Sequence, residues 1–507
     1  MEQEFRFRFK PTSNLQELLL SGPDLSTHRA KNLALMLLAL TQFVVVIDAS
    51  ITNVALPSIG KALDISQDSL SWVVNSYTLV FGGFLLLGGR LADFLGRRRM
   101  FMIGMSLFGL ASLAGGLAQS EAWLIIARAC QGLGAAIASP AALSIVTTTF
   151  AEGSERNRAL GIWGAVAGAG GAAGVLLGGV LTEWAGWEWV LFVNVPIAAF
   201  VVWQAPQRLL ESREEDESER TLDIPGAVSI TAGLALLVYG LVDADKSGWT
   251  STATLLRIAG SLALIAAFVV IELRTRRPLV PFSIFRMRTL RGANIVGILT
   301  GMSLFSMFFL ITLYLQQVLN MSALDAGLAY LPLAIAIILA AGMAGQLVTR
   351  VGFKPVMTAG LLFVAVALGW FTQISPDGSY VADVLGPSIL AGIGLGLTFV
   401  PVTIAAMSGS KREEAGLASG LINTSQQVGG ALGLAILASI ADSTTSSSIA
   451  DGSNQAVALT DGFSAAFLVG ACFALLGAIL AATLISSRDS REHAEAAQAG
   501  EVEMPAA

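Results

Sequence analysis

Fourteen apolar runs of membrane-spanning length recur along this chain, and this repetition limits its possible folds more than any other feature. A helix needs about 20 apolar residues to cross a bilayer. The runs start near Leu33, Leu70, Met100, Trp123, Ala159, Val190, Ile224, Ala253, Ala293, Ala326, Pro355, Val381, Ala415 and Phe463. Only 13% of the residues are charged, against about 25% in a soluble domain. The sequence therefore predicts an all-α polytopic membrane protein with 14 transmembrane helices.

The positions of Lys and Arg predict the orientation in the membrane. An even number of spans puts both termini on one side, and if that side is the cytoplasm, its segments hold 26 of the 30 basic residues. The other four are Lys61, Lys246 and Arg257 in outer loops and Arg128 inside a span. Cytoplasmic loops of membrane proteins carry such an excess. We expect a multi-pass protein with cytoplasmic termini, and the preference for Arg, Ala and Gly suggests a bacterial inner membrane.

Two loops on the basic side repeat each other at one constant spacing. Residues 89–98, after the second run, match residues 345–354, after the tenth, and equivalent positions lie 256 residues apart. Gly153 and Gly409, in two later loops, show the same spacing. Secondary transporters are often built from such internal repeats. We therefore predict two pseudo-symmetric six-helix bundles, with the seventh and eighth runs as two inserted helices.

These features divide the chain into seven predicted segments. They are a cytoplasmic N-terminal segment (1–31), an N-terminal bundle (32–208), a charged linker (209–221), the inserted pair (222–273), a basic linker (274–292), a C-terminal bundle (293–486) and a cytoplasmic tail (487–507). The tail is polar and rich in Ala and Glu, so we expect it to be disordered.

Asp48 is the only charged residue of the first run, and Arg128 is a second charge inside a span. At 1.5 Å per residue, both lie about 8 Å below the outer face, so their depths agree. An ionisable residue at membrane depth marks an ion or substrate pathway by default. One interpretation is that Asp48 binds and releases a proton while Arg128 senses its charge. The other is a permanent ion pair that holds the first and fourth spans together.

Asp93 lies where the second span reaches the cytoplasm, and Arg97 and Arg98 follow it closely. A carboxylate beside two guanidinium groups can form a latch that breaks and re-forms. Alternatively, these residues mark the topology and a turn, because basic residues are expected on the cytoplasmic side in any case.

Small residues recur every fourth position in the fifth span. The glycines of this pattern are Gly164, Gly168, Gly170, Gly174 and Gly178. Such spacing lets two helices approach closely in a bilayer. We predict tight packing along this helix, at a contact on which the two bundles rock.

Polar and aromatic residues inside the spans are the candidates for substrate contact. They are Gln42, Asn53, Asn75, Tyr77, Gln131, Trp163, Asn294, Tyr314, Gln316, Gln317, Asn423, Gln426 and Gln427. Each of them can instead bond to a neighbouring helix.

Several of these segments resemble motifs of the major facilitator superfamily, and within it the fourteen-helix drug:proton antiporters. The matching segments are residues 48–57 in the first span, 89–98 in the loop, 128–136 in the fourth span, 164–179 in the fifth and 187–196 at the sixth. The resemblance implies proton coupling at the fourth-span motif. It also implies a latch at the loop motif and alternating access between the two bundles.

The predicted function is proton-coupled efflux of amphipathic, hydrophobic or cationic compounds. The alternatives are a dedicated exporter of one metabolite, lipid or siderophore, and a membrane sensor without transport. No nucleophile, metal cluster or ATP-binding loop is evident, since Lys61 after Gly60 is not followed by Ser or Thr. We expect no enzyme activity, no cofactor, no metal and no nucleic-acid partner. The expected partners are a small-molecule substrate, protons and the lipid bilayer, and we expect a monomer.

Overall fold

The computed structural model describes residues 27–65, 67–151, 153–212, 223–275, 278, 280–408 and 415–502. Within these ranges all regular secondary structure is helical. Large apolar side chains such as Met36, Leu110 and Leu256 are exposed on its outer surface. Such extensive exposed apolar surface is expected where a protein meets lipid rather than water.

The N-terminal half contains seven of the described helices. They are α1 (His28–Ala62), α2 (Gln67–Leu95), α3 (Arg97–Gly116), α4 (Glu121–Thr149), α5 (Ser154–Trp184), the short α6 (Trp189–Phe192) and α7 (Asn194–Arg208). The side chains of Thr27 and Ser120 cap α1 and α4 by accepting from the backbone N–H groups of Ala30 and Trp123. These hydroxyl caps explain why both helices begin where they do.

Two inserted helices follow, α8 (Ile224–Ser247) and α9 (Thr252–Arg274). Asp223 caps α8 by accepting from Gly226 N, and Pro225 occupies its first turn, where its missing N–H costs nothing. α8 contacts α2 of the N-terminal half and one helix of the C-terminal half. α9 packs on α8 and leaves most of its surface exposed. The inserted pair therefore lies beside a junction between the two halves.

The C-terminal half contains seven further helices before the tail. They are α10 (Arg288–Leu313), α11 (Ala323–Ala329), α12 (Leu331–Val351), α13 (Phe353–Phe371), α14 (Gly386–Met407), α15 (Ala415–Ala450) and α16 (Gln455–Leu484). Single π-helical segments extend α10 (Tyr314–Val318) and precede α14 (Tyr380–Leu385). Gly96 and Gly352, which are 256 residues apart, both have positive φ and begin α3 and α13. The sequence repeat is thus also a repeat of backbone conformation.

The prediction of a disordered tail is wrong for residues 487–502, which form helix α17 (Ser487–Val502). Ser490, Ala494 and Ala497 are buried, and their spacing places them on one face of the helix. That face contacts α5, α12 and α13. The overall polarity of the tail predicts disorder, but the narrow face that contains Ala494 and Ala497 is sufficient for docking.

Twelve of the described helices are long and apolar enough to cross a membrane. Two shorter apolar segments, Ala173–Trp184 in α5 and Pro225–Leu241 in α8, accompany them. These two correspond to the fifth and seventh predicted spans. The total of fourteen spans stays a prediction, whereas the all-helical membrane architecture is observed.

Candidate functional site

Asp48, on α1, lies at the centre of a buried hydrogen-bond network. Arg128 Nη1, on α4, donates to Asp48 Oδ2 at 2.6 Å. The other carboxylate oxygen, Oδ1, accepts from Gln131 Nε2 at 2.6 Å and from Asn194 Nδ2 at 2.7 Å. All four side chains are sealed from solvent. The structure thus joins the two charges whose depths match in the sequence, and it adds two amides.

Arg128 is held by further groups from neighbouring helices. Its Nε donates to the carbonyl of Val73 on α2 at 3.1 Å, and its Nη1 also donates to Gln131 Oε1 at 2.6 Å. The guanidinium carbon lies 4.5 Å from the centre of the Tyr77 ring. Gln131 Nε2 also donates to Ser112 Oγ on α3 at 2.7 Å. The network therefore connects α1, α2, α3, α4 and α7.

The charge state of Asp48 determines the arrangement of this network. An ionised carboxylate can accept all three of the observed bonds, whereas a protonated one must direct its O–H to another acceptor. Removing one partner of a buried ion pair costs roughly 3–5 kcal/mol, because it leaves an uncompensated charge. A proton on Oδ2 would remove the charge that balances Arg128, whereas Oδ1 could still accept from both amides.

Asn194 and Ser112 belong to the network but were not singled out in the sequence. Asn194 is the first residue of α7, which follows α6 after the single residue Val193. It is the one amide in the apolar segment from Val190 to Phe200. An isolated amide within a span is the signal that identifies Asn194. Ser112 carries no comparable signal, because hydroxyl groups often bond to their own helix, as Ser112 also does with Phe108 O.

Asp93 makes a second charged contact, at the end of the molecule where the basic loops lie. Its Oδ1 accepts from Arg97 Nη2 at 2.7 Å and from Arg97 Nε at 3.2 Å. Its Oδ2 accepts from the backbone N–H of Leu417, near the start of α15, at 3.0 Å. A negative charge is favourable at a helix N-terminus. This contact, the Asp93 gate, joins the two bundles.

Arg98 does not bond to Asp93 but faces the segment that follows α7. Its Nη1 donates to Leu209 O at 3.1 Å, and its Nε lies 3.8 Å from Glu211 Oε2. The two oxygens of Glu211 also accept from the backbone N–H groups of Arg98 and Arg99, each at 3.1 Å. Glu211 therefore caps α3 and neutralises Arg98, while Arg97 pairs with Asp93.

A neutral contact occupies the equivalent place in the C-terminal half, where Thr349 stands 256 residues after Asp93. Asn157 Nδ2, in the first turn of α5, donates to Thr349 Oγ1 at 3.1 Å. His493 Nε2, on α17, lies 3.0 Å from Asn157 Oδ1. Gln498 Nε2 donates to the carbonyls of Thr349 and the next residue. This group, the Thr349 gate, joins the bundles through α17.

The glycine face of α5 packs in two directions. A Cβ on Gly170, Gly174 or Gly178 would collide with α1, where Val46, Ser50 and Ile51 lie. A Cβ on Gly164 would lie 2.8 Å from Val400 of α14. The surroundings of Gly168 lie outside the described part of the chain. The tight packing that was expected is present, but Gly170, Gly174 and Gly178 pack inside the N-terminal half, whereas Gly164 faces the other half.

Six of the substrate-contact candidates are buried, and each of them already contacts other residues of the protein. Tyr77 and Gln131 belong to the Asp48 network, and Trp163 lies in the apolar core. The bonds of the remaining three are Ser139 Oγ to Gln42 Oε1 at 3.1 Å, Ser425 Oγ to Asn294 Oδ1 at 2.9 Å, and Tyr314 Oη to Asp383 Oδ2 at 2.8 Å.

The other candidates are more accessible. Asn53 and Gln317 are exposed, and Asn53 Nδ2 bonds within its own helix to Ala49 O. Asn423 Nδ2 does the same with Ser419 O. The half-buried members of the set are Asn75, Gln316, Asn423, Gln426 and Gln427.

Comparison with known proteins identifies the class that this fold and buried network define. Residues 38–434 match the Major Facilitator Superfamily. The chain belongs to that superfamily, so it is a membrane transporter and not an enzyme. This confirms the family resemblance that was stated from the motifs.

Two relatives align over nearly their whole length. The cephamycin export protein CmcT of Amycolatopsis lactamdurans is 43% identical over 454 residues, which cover 89% of this chain and 92% of the relative. The puromycin resistance protein pur8 of Streptomyces alboniger is 38% identical over 474 residues, which cover 92% and 93%. Among solved structures, the human organic anion transporter MFSD10 superposes with a TM-score of 0.67 at 15% identity, covering 89% of this chain and 99% of that one.

Proposed function

We propose that this protein is a proton-coupled efflux transporter that exports amphipathic, hydrophobic or cationic antibiotic-like compounds by alternating access. The proposal includes fourteen membrane spans and cytoplasmic termini, as the positions of Lys and Arg predict. The observation that carries it is the sealed Asp48–Arg128 network. Such a costly group at membrane depth needs a functional reason.

The network provides a physical route from proton binding to movement. Asp48 holds Arg128, Gln131 and Asn194 through one carboxylate, and these partners lie on two other helices. A proton on Asp48 removes the negative charge that balances Arg128. The ionic contact between α1 and α4 is then lost, and the packing of α1, α4 and α7 can change. An incoming substrate that displaces this proton would restore the negative charge on Asp48 and its contact with Arg128. Exchange of one for the other is the antiport step that we propose.

The two gates support alternation between two open states. The Asp93 gate and the Thr349 gate both join the bundles at the basic end, so that end is closed in this structure. Opening toward the cytoplasm requires both contacts to break. The packing of α5 against α12 and α14 provides a contact on which the bundles can rock.

The relatives guide the choice of substrate. Their names refer to export of cephamycin and to resistance to puromycin, lincomycin and tetracenomycin C. We therefore propose antibiotics and dyes of intermediate size as substrates. A dedicated exporter of one compound is the second candidate, because the relative at 43% identity is named for the export of a single antibiotic class. No observation favours a sensor without transport.

The test is an efflux assay in a drug-susceptible bacterium that expresses the full chain. Cells are loaded with ethidium, puromycin or a cephamycin, and export is followed before and after a protonophore removes the gradient. We expect export of several probes that collapses with the protonophore. Export of one probe alone would instead support the dedicated exporter. Absence of export across the panel, at confirmed expression, would contradict both.

A further inference from the structure

A cavity of about 660 Å³ lies between the start of α13 and the start of α17, at the basic end of the molecule. Its polar side is formed by Lys354, Ser487, Ser490 and Arg491, and its apolar side includes Leu362. Ligand pockets are typically of about this size, 300–1,000 Å³. No residue of the Asp48 network lines this cavity.

The cavity carries positive charge that nothing in its wall balances. Its lining in the described part of the chain includes two cations, Lys354 and Arg491, and no carboxylate. Lys354 Nζ donates to the hydroxyl of Ser487 at 2.7 Å. The acidic residues that flank Arg491 on α17 have other partners, since Asp489 accepts from Thr289 and Ser486, and Glu492 pairs with Arg488. The pocket is therefore suited to an anion.

The equivalent position in the N-terminal half has a carboxylate partner, which the described lining of this cavity lacks. Lys354 stands 256 residues after Arg98, and both begin a helix that follows a positive-φ glycine. In the N-terminal half, the carboxylate of Glu211 caps that helix and neutralises Arg98. In the C-terminal half, the neutral Ser490 Oγ caps α13 by accepting from Lys354 N at 3.0 Å, and no carboxylate among the described residues pairs with the Lys354 side chain. An external anion would complete the symmetry.

One face of α13 leads from the cavity into the bilayer. Lys354, Thr358 and Leu362 lie one turn apart and line the cavity, and this row continues through Val366 to Trp370 while winding by about 40° per step around the helix. Leu362, Val366 and Trp370 are 45%, 59% and 47% exposed. At 1.5 Å per residue, Leu362 lies about 12 Å deeper than Lys354. A cationic head position followed by an exposed apolar stripe matches a molecule with an anionic head and acyl chains.

We propose that this cavity binds an anionic phospholipid of the cytoplasmic leaflet. Its phosphate lies between Lys354 and Arg491, within reach of the Ser487 hydroxyl, and an acyl chain follows the face of α13 past Leu362. Basic pockets between membrane helices on the cytoplasmic side bind anionic headgroups in this way. Because the lipid touches α13 and α17 together, it holds α17 in the position from which His493 and Gln498 reach the Thr349 gate.

The test measures lipid retention by the purified full chain in detergent, using native mass spectrometry. Phosphatidylglycerol is titrated against wild type, against the double variant Lys354→Gln/Arg491→Gln and against Arg488→Gln. Arg488 is the matched control, since it has the same charge on the same helix, is exposed and is already paired. We expect the double variant to bind phosphatidylglycerol about 30-fold more weakly, because each cation strengthens binding about five-fold. Arg488→Gln should bind like wild type.

Two further arms separate the possible sources of the phosphate. Phosphatidylcholine, which is zwitterionic, should bind wild type and the double variant equally. Inorganic phosphate should not displace phosphatidylglycerol, because it lacks the acyl chains. Equal phosphatidylglycerol binding by the double variant and the control would overturn the site, and displacement by inorganic phosphate would overturn the lipid assignment.

A second measurement covers the possibility that the double variant folds poorly. Wild type and the single variant Arg491→Gln are heated in detergent with phosphatidylglycerol or with phosphatidylcholine, and the melting temperature is recorded. Preferential stabilisation by phosphatidylglycerol, reduced in the single variant Arg491→Gln, is the expected result. Identical melting with both lipids would contradict the proposal. Neither experiment depends on proton coupling or on the identity of the exported compound.

Discussion

The two halves of this transporter share a backbone plan but differ in where they place charge. The offset of 256 residues carries Asp48 onto Leu304, Arg128 onto Val384 and Asp93 onto Thr349. Both buried ion pairs in the described residues, Asp48–Arg128 and Asp93–Arg97, lie in the N-terminal half. A duplicated scaffold can therefore keep its shape while the buried ion pairs of its described residues all lie in one copy.

The gates show the same contrast at closer range. The Asp93 gate is one charged side chain aimed at the N–H group of Leu417 at the start of a helix in the other half. The Thr349 gate spreads its strength over several neutral bonds and recruits Asn157, His493 and Gln498. A charge-assisted bond is roughly twice as strong as a neutral one. The charged gate should therefore respond sharply to a single substitution, and the neutral gate should not.

The strongest way to break the comparison is to remove the titratable group of the N-terminal half. Asp48→Asn should reduce export to the level of cells without the transporter, because an amide can neither release a proton nor balance Arg128. Leu304→Asn, the matched change at the equivalent position of the other half, should retain most export. Resistance and dye efflux at equal expression measure both. Undiminished export by Asp48→Asn would show that proton exchange does not occur at this residue.

The next largest effect concerns stability. Arg128→Gln should lower the free energy of unfolding by roughly 3–5 kcal/mol, because Asp48 is left buried without its cation. The double variant Asp48→Asn/Arg128→Gln should recover most of that loss while staying inactive. Thermal unfolding of the purified variants provides the measurement. A double variant that is both stable and active would reduce the pair to a structural contact.

The gates predict a smaller and asymmetric effect. Asp93→Asn should shift the equilibrium toward the cytoplasm-open state about ten-fold, since the charge at the start of α15 and its pairing with Arg97 are lost. Thr349→Val should shift it about five-fold or less, because only one neutral bond between the bundles disappears, the other being a bond within α12 to Gly345 O.

A single cysteine at Ser419 reports on both variants. Its hydroxyl bonds to Pro140 O between the halves and is buried in this structure. The native Cys130 and Cys472 are replaced first. Labelling by a thiol reagent added from the cytoplasmic side should be faster in Asp93→Asn than in Thr349→Val. The reverse order would contradict the assignment of the stronger gate.

The smallest predicted effect concerns the ion pair between Glu155, in the first turn of α5, and Lys31. Burial alone would raise the pKa of Glu155, but the hydrogen bond and charge of Lys31, at 2.7 Å, and the Ala151 N–H lower it below its usual value. A pKa that is lowered in the folded state stabilises the protein above the ordinary pKa, and this contribution is lost as the pH falls through the lowered value. An exposed pair of this kind contributes about 0.2–1 kcal/mol.

Melting curves of wild type and Glu155→Gln test this dependence. At pH 7 the variant should melt slightly earlier, and the difference should disappear once the pH has fallen below the lowered pKa of the Glu155 carboxyl group. Glu492→Gln, in a fully exposed pair on α17, is the control and should show little difference at either pH. A difference for Glu155→Gln that grows on acidification would have the wrong sign for this account.

Residue depth and charge made part of the site predictable. The pairing of Asp48 with Arg128 follows from counting residues along two spans, and that of Asp93 with Arg97 follows from their closeness in the sequence on either side of the turn at Gly96. The role of Asn194 was not predictable in this way, because it depends on how α7 packs against α1. Docking of α17 depends likewise on a surface built by three other helices. Local pattern fixes which groups are costly, whereas tertiary packing decides which neighbours satisfy them.

The central claim is that Asp48 carries the proton that drives export. Its most direct test is proton movement in proteoliposomes, with a pH-sensitive dye trapped inside and the best-exported probe of the efflux panel added outside. Wild type should move protons against the probe, and so should Leu304→Asn. Asp48→Asn should move no protons even where it lets the probe equilibrate. Probe-driven proton movement by Asp48→Asn at the wild-type rate would contradict the claim.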